Sequence, residues 1–110
     1  MSKTNLPVAI NNFIKYTNEG NSESFVGLFS EDASLNDWGN IYNGPKEIST
    51  WNKTDNIGKQ SHFELVDAKE DSSGNWIVNL KVTGNGFNGT SPFEITVKNE
   101  LIQSVQILPD

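Results

Sequence analysis

The apolar residues in the first third of the chain recur at helical spacing. One stripe consists of Leu6, Ile10, Phe13 and Ile14, at positions i, i+4, i+7 and i+8. This spacing places all four side chains on one face of an amphipathic helix. Gly20 predicts the end of that helix, because glycine adopts the left-handed conformation of a helix C-cap without steric cost.

A short second helix and a turn-rich segment follow. Asn21 is a favourable N-cap, and the helix it opens carries three apolar positions: Phe25, Leu28 and Phe29. Residues 30–44 then contain Asp, Asn and Gly at a density that predicts two short strands joined by tight turns. Gly44-Pro45 opens a third helix, since proline is tolerated at the first helical position.

From about residue 60 the apolar period changes from helical to alternating, which predicts strands. Turns are predicted at 71–74, 84–89 and 99–100, and a last strand at 101–108. Helices first and an antiparallel meander afterwards predict a segregated α+β fold. The alternating apolar positions are Phe63 and Leu65, then Trp76, Val78, Leu80 and Val82, then Phe93, Ile95 and Val97.

Composition narrows the function classes. The 110 residues fit one domain, with eight Lys, no Arg, fourteen acidic residues and a net charge of −6. Nucleic-acid binding is not expected, because it needs a basic surface. Without Arg the usual bidentate clamp for anions is missing, so a neutral or weakly polar ligand is favoured.

Targeting signals and cysteine chemistry are not indicated. The first six residues lack an apolar export segment, and no apolar run approaches the ~20 residues of a membrane helix. The chain contains no Cys, so disulfides and thiolate chemistry are excluded. A cytoplasmic protein without membrane association is predicted.

The order of elements and several phrases resemble the nuclear transport factor 2-like superfamily, in its SnoaL-like and ketosteroid-isomerase-like branches. In this family a phrase like "Phe, acidic, Asp, Ala" ends the second helix, and a Gly a few residues before Ile starts the third. The matching residues are Glu19-Gly20, Phe29-Ser30-Glu31-Asp32-Ala33, Leu35-Asn36-Asp37, Tyr42-Asn43-Gly44, Glu47-Ile48 and Trp51.

The resemblance implies a single SnoaL-like domain over residues 1–110. Its helices would pack in a curved, mostly antiparallel sheet, the cone-shaped, cystatin-like half barrel, with an apolar pocket at the open end. Members are commonly homodimers through the outer sheet face. Their activities range from isomerases, cyclases, dehydratases and hydrolases to no catalysis, so this fold does not determine function.

Asp37 is the first candidate for catalysis. The resemblance places it where the isomerase branch has the Asp that shuttles a proton, and Trp38 could supply an apolar wall beside it. A carboxylate in such a pocket can serve as a general base. The alternative is a turn residue that caps backbone amides within residues 36–40.

The isomerase pattern is incomplete in two places. Phe13 stands where isomerases carry a Tyr that donates to the oxyanion, and Tyr16 lies one turn further on. The second donor, a late-strand acid, would fall near Phe93 or Glu94, and alternation points Glu94 outward. Since each lost oxyanion donor lowers the rate about a hundredfold or more, ketosteroid isomerisation is not expected.

His62 is the only histidine. SnoaL-type cyclases pair an Asp with a His, so the resemblance suggests an Asp37–His62 arrangement across the pocket. The alternative is a solvated strand residue, because alternation places His62 and Glu64 on the face opposite Phe63 and Leu65.

Other candidate motifs are weak. Residues 84–89 spell G-x-G-x-x-G but lead into a strand, whereas dinucleotide binding needs a helix N-terminus there. One His, no Cys and no calcium-loop spacing predict no metal site. The aromatic residues that could line a pocket for a flat apolar ligand are Phe13, Tyr16, Phe29, Trp38, Trp51, Trp76 and Phe93.

The predicted function is binding of a small apolar ligand without catalysis, cofactor or metal. One alternative is an isomerase, cyclase or dehydratase that uses Asp37 as general base. A second alternative is a protein-interaction domain that uses the outer sheet face.

Overall fold

The computed structural model describes residues 6–72 and 74–108. Three helices alternate with, and then give way to, six strands, as the change of hydrophobic period predicted. The elements are α1 Val8–Glu19, α2 Ser22–Val26, β1 Phe29–Asp37, β2 Asn40–Asn43, α3 Gly44–Asp55, a 3-10 turn Ile57–Lys59, β3 His62–Ser72, β4 Asn75–Thr83, β5 Gly89–Lys98 and β6 Leu101–Ile107.

The helix ends follow the local signals. Gly20 ends α1 with φ of 70°, and the Asn21 side chain accepts a hydrogen bond from the Ser24 amide at 3.2 Å. The second helix is shorter than predicted, since Phe29 begins β1 instead of continuing α2. Phe29 is paired with Ile102 of β6, and this contact across the sheet overrides the helical spacing.

The sheet is curved and open, in the order β2-β1-β6-β5-β4-β3. All neighbours are antiparallel except β1 and β6, which run parallel. Asn99 and Glu100 both have positive φ, 54° and 68°, as a two-residue hairpin turn requires. The predicted turn at 71–74 includes Ser73, which lies outside the described residues. The predicted α+β fold class is confirmed.

The concave face of the sheet holds an aromatic cluster centred on Phe13. Its ring lies 5.3 Å from that of Phe25, 5.5 Å from Phe63, 6.0 Å from Phe93 and 6.4 Å from Phe29. All of these side chains are buried, so α1 is anchored against both α2 and the far strands of the sheet. None of the helices in the described part of the chain is long and apolar enough to cross a membrane.

A buried polar network joins the three helices. The Asn56 side-chain amide donates to Thr17 and to Asn52, both at 3.1 Å, and the Asn52 amide donates to Ser22 at 3.1 Å. Asn52 and Asn56 are almost fully buried, and each finds partners, as buried amides must. This network fixes the end of α3, where the site described below begins.

Replacing the central ring tests the packing. We expect Phe13→Ala to lower the free energy of unfolding by about 3–5 kcal/mol, because it leaves a cavity among four rings. Val8→Ala on the same helix is the control, since Val8 is 73% exposed. That variant should change stability by no more than about 0.5 kcal/mol. Urea denaturation measures both, and equal losses would contradict the assignment of Phe13 to the core.

Candidate functional site

A cavity of about 270 Å³ opens beside the end of α3. Side chains from several strands line it because of the antiparallel register. The end of β4 lies beside the starts of β3 and β5, and the end of β6 lies beside the start of β5. The described residues that line it are Asp37, Trp38, Asn40, Trp51, Asp55, Asn56, Ser61, Phe63, Val82, Phe87, Ser91, Phe93 and Ile107.

Asp37 is the last residue of β1 and is half-buried at the cavity wall. The Trp51 indole Nε1–H donates a hydrogen bond to Asp37 Oδ2 at 2.9 Å. Trp51 is itself 3% exposed, so this donor is held by packing. A carboxylate has about four acceptor sites, so Asp37 can accept further hydrogen bonds from a ligand.

The turn after β1 uses a different side chain from the one predicted. The Gly39 amide donates to Asn36 Oδ1 at 2.7 Å, so Asn36 caps this turn. Trp38 takes φ of 54° and Gly39 φ of 99°, the backbone of a tight hairpin turn. The Asp37 carboxylate is therefore not needed as a cap of this turn; it accepts the Trp51 hydrogen bond and lines the cavity.

A second carboxylate, Asp55, lines the same cavity from α3. Burial raises the pKa of Tyr42, and so do the negative charges of Asp55 and Asp37. Tyr42 lies on β2 opposite Leu35, close to the end of β1. Tyr42 therefore lies within electrostatic reach of both acids.

Ser91 contributes a polar group that no prediction included. It is 1% exposed on the inner face of β5, and its hydroxyl makes no hydrogen bond to any described residue. A buried hydroxyl without a partner costs roughly 1–3 kcal/mol, unless a ligand supplies one. The sequence signal was available, because Ser91 lies two residues before Phe93 and therefore shares its face.

Two exposed aromatic rings stand at the cavity mouth. Trp38 and Phe87 are 53% and 44% exposed and meet edge to face, with ring centroids 5.8 Å apart. Phe87 belongs to the loop between β4 and β5, the one that spells G-x-G-x-x-G. Asn88 shapes this loop by donating to the carbonyls of Gly84 and Gly86 at 2.9 and 3.1 Å. The loop leads into a strand, as predicted.

The structure separates the seven aromatic residues predicted to line a pocket. Trp38, Trp51 and Phe93 line the cavity together with Asp37. The other four are not among its lining residues, because they lie deeper in the fold or on the opposite side of it: Phe13, Phe29 and Trp76 are in the buried core and Tyr16 packs against its edge.

His62 lies away from the predicted partner Asp37. It is exposed at the start of β3 and borders a separate depression with Thr17 and Asn18. Its neighbour Phe63 takes the inward position, so strand alternation turns the imidazole outward. Glu94 likewise lies on the outer face, where it accepts a hydrogen bond from Asn75 at 3.1 Å. Neither residue is among those that line the cavity.

No metal-binding group of three or more His, Cys, Asp or Glu occurs among residues 6–72 and 74–108. The polar groups of the described lining residues are two carboxylates, the amides of Asn40 and Asn56, the hydroxyls of Ser61 and Ser91, and the indole N–H groups of Trp38 and Trp51. This set can hold hydrogen-bonding ligands and can accept a proton.

Solved structures share this fold. A candidate polyketide cyclase from Sinorhizobium meliloti is 22% identical, with a TM-score of 0.82 over 94% of this chain and 95% of that one. An NTF2-like protein of unknown function from Cytophaga hutchinsonii is 13% identical, with a TM-score of 0.81 over 100% and 95%. A Mycobacterium tuberculosis protein in complex with estradiol-17β-hemisuccinate is 13% identical, with a TM-score of 0.82 over 94% and 92%.

No protein-family model matches the sequence, and no curated protein matches it significantly. The likeness of the solved structures shows that the chain has the nuclear transport factor 2-like fold, which the sequence motifs had suggested.

The hydrogen bond between Trp51 and Asp37 can be measured by a double-mutant cycle. A hydrogen bond to a charged group contributes about 1.5–3 kcal/mol. We therefore expect Trp51→Phe to be more destabilising in the native background than in the Asp37→Ala background, by about 1–2 kcal/mol. Urea denaturation of the four proteins gives the coupling. Additive losses would show that the two side chains do not interact.

Tyr42 should ionise above the ordinary tyrosine pKa of about 10. Because the folded state favours the protonated phenol, the resulting stability is present below pH ~10 and is lost as the pH rises through the raised pKa. Asp55→Asn should move the pKa of Tyr42 down toward its ordinary value. Ultraviolet titration of phenolate absorbance, with Tyr42→Phe subtracted, measures this, and an unchanged pKa would contradict the proximity of Asp55.

Proposed function

We propose that this chain binds a small, flat, largely apolar ligand in the cavity between Asp37, Trp51 and Ser91. The observation that supports it most directly is the buried hydroxyl of Ser91, unpaired among the described residues, within an aromatic-walled hollow. Small-molecule sites combine apolar walls with a few polar groups that orient the ligand in this way. These apolar walls and polar groups are sufficient for binding, and no catalytic group is needed for it.

The size of the hollow favours a ligand of one or two rings. Its 270 Å³ lies just below the range of about 300–1,000 Å³ typical of drug-sized ligand pockets. The mycobacterial protein of the same fold holds an estradiol derivative, which supports an apolar ring system as the ligand class. A ligand smaller than four fused rings suits the present cavity better.

The indole N–H signals of the three tryptophans test the proposal with 2-naphthol as the probe. In a ¹H–¹⁵N correlation spectrum, we expect the signals of Trp38 and Trp51 to shift on titration. Trp76 should remain in place, because it does not line the cavity. Ser91→Leu, which fills the hollow, should abolish the shifts.

Ser104→Leu is the matched control, since Ser104 is half-buried on β6 away from the cavity lining. Its spectrum should shift as the native one does, and circular dichroism should show both variants folded. If neither the Trp38 nor the Trp51 signal shifts at probe concentrations up to about 1 mM, any affinity is very weak, and that result would contradict the proposed function. Shifts that persist in a folded Ser91→Leu variant would place binding elsewhere.

A second candidate function is proton transfer by Asp37, favoured by the defined position that Trp51 gives its carboxylate. Asp37 would take a proton from a carbon next to a carbonyl, and the C–H electron pair would form an enolate. The Ser91 hydroxyl would donate to the enolate oxygen, and Asp37 would return the proton to carbon. No external oxidant, reductant or cofactor is needed for this exchange.

The carbon-bound hydrogens of 2-tetralone provide the test. In D₂O, the native protein should accelerate their exchange at least about a hundredfold over Asp37→Asn, the range of general-base catalysis. Glu64→Gln, which alters an exposed acid on β3, should exchange as the native protein does. Equal exchange by native protein and Asp37→Asn would leave binding as the function and exclude this one.

The outer sheet face gives little support to the interaction-domain alternative. Its half-buried positions are mostly polar. The large exposed apolar residues among the described ones are scattered over the cavity mouth, β3, α1, β2 and the start of β6: Trp38, Phe87, Leu65, Val66, Val8, Ile41 and Leu101. The homodimer and the cytoplasmic location remain predictions. The outward positions that alternate with the core are Ser34, Asn36, Asn75, Ile77, Asn79, Pro92, Glu94, Thr96, Ser104 and Gln106.

A further inference from the structure

The charges that line the cavity have one sign. Asp37 enters from β1 and Asp55 from α3, and no Lys or His is among the described lining residues. The sequence contains no Arg. A bound anion would therefore meet the carboxylates of half-buried Asp37 and exposed Asp55 without a compensating cation, and the like charges would repel it.

The walls of the cavity suit a cation as well as an apolar ring. Trp38 and Trp51 line the cavity with the two acids, and three phenylalanines add further aromatic walls: Phe63, Phe87 and Phe93. The faces of aromatic rings carry partial negative charge, and they attract ammonium groups, with tryptophan the most effective. The carboxylates and the aromatic faces thus both favour a positively charged ligand.

One observation besides the acids points to a polar ligand atom here. The Ser91 hydroxyl is buried in the cavity and unpaired among the described residues, and its lone pairs can accept from an N–H.

We infer that the ligand carries a protonated amine on its one- or two-ring apolar frame. This inference rests on the proposed function, because it names the ligand class of the same cavity. The ammonium group lies between Asp37 and Asp55 and hydrogen-bonds to the carboxylates, while the rings pack against the aromatic walls. The acceptor sites that Asp37 retains beside its Trp51 hydrogen bond are available to it.

Three tetralin derivatives with one skeleton separate charge from shape. 2-Aminotetralin is cationic at neutral pH, 2-tetralol is neutral and tetralin-2-carboxylic acid is anionic. Isothermal titration calorimetry, with the Trp38 and Trp51 indole signals to locate binding, gives the three dissociation constants. We expect the amine to bind at least about tenfold more tightly than the alcohol, the effect of one hydrogen bond to a charged group, and the acid to bind least.

The variants identify the acids responsible. Asp37→Asn and Asp55→Asn should each weaken amine binding about tenfold and leave alcohol binding within about twofold. Asp37→Asn keeps an acceptor for the Trp51 indole, so we expect the fold to be preserved. Glu64→Gln removes one exposed charge from β3 and should leave both dissociation constants unchanged, which controls for the lower net charge.

The outcomes separate this inference from the proposed function. If the alcohol or the acid binds as tightly as the amine, the amine inference is overturned while ligand binding stands. Amine binding that Glu64→Gln weakens as much as Asp37→Asn overturns it too, since the attraction is then to the overall charge. If none of the three compounds binds up to about 1 mM, both the inference and the proposed function fail.

Discussion

The hydrogen bond from the Trp51 indole to the Asp37 carboxylate joins α3 to β1 where both reach the end of the core. Trp51 is buried and cannot turn away, so the bond determines where the carboxylate lies. Asp37 and Trp38 reach the cavity from β1, and Asp55 and Asn56 reach it from α3. This contact, together with the buried network of Asn52 and Asn56 at the end of α3, therefore sets their relative positions.

The hollow exists because the aromatic core ends at Phe63 and Phe93. These two rings, with centroids 5.5 Å apart, pack on Phe13 on one side and line the cavity on the other. Beyond them the inner face carries Ser91 and Ser61, which are too small to fill the space that a large apolar residue would occupy. The cavity thus exists because the side chains beyond Phe63 and Phe93 include two small serines.

Much of the fold was predictable because its signals are local. Helical spacing and the Gly20 cap located α1, and strict alternation located β4. The assignment of Phe29 to α2 was wrong, since its pairing with Ile102 is a contact between residues far apart in sequence. The parallel pairing of β1 and β6 is also a contact between residues far apart in sequence, and no turn signal or hydrophobic period predicts it.

The site was predictable only in part, for a related reason. Alternation identifies the side chains that share a strand face, but it does not give their height along the cone. Phe13 and Phe93 were equal candidates in the sequence, yet only Phe93 reaches the cavity. Asp37 was found through a family resemblance, whereas its donor Trp51 was noted only as an aromatic wall. Alternation places Ser91 on the same inward face as Phe93, but a serine there does not by itself distinguish a cavity from a filled core.

The open mouth explains how two carboxylates can line this cavity. Asp37 is half-buried, so water can solvate it while the cavity is empty, and the cost of full burial does not arise. A ligand that closes the mouth removes this water and must satisfy the charge itself. Neutral ligands then lose part of their hydrophobic gain to desolvation of the acids, and anions lose more. Under the proposed function, selection at this site would act mainly through the penalty on wrong ligands, which is how buried polar groups commonly produce specificity.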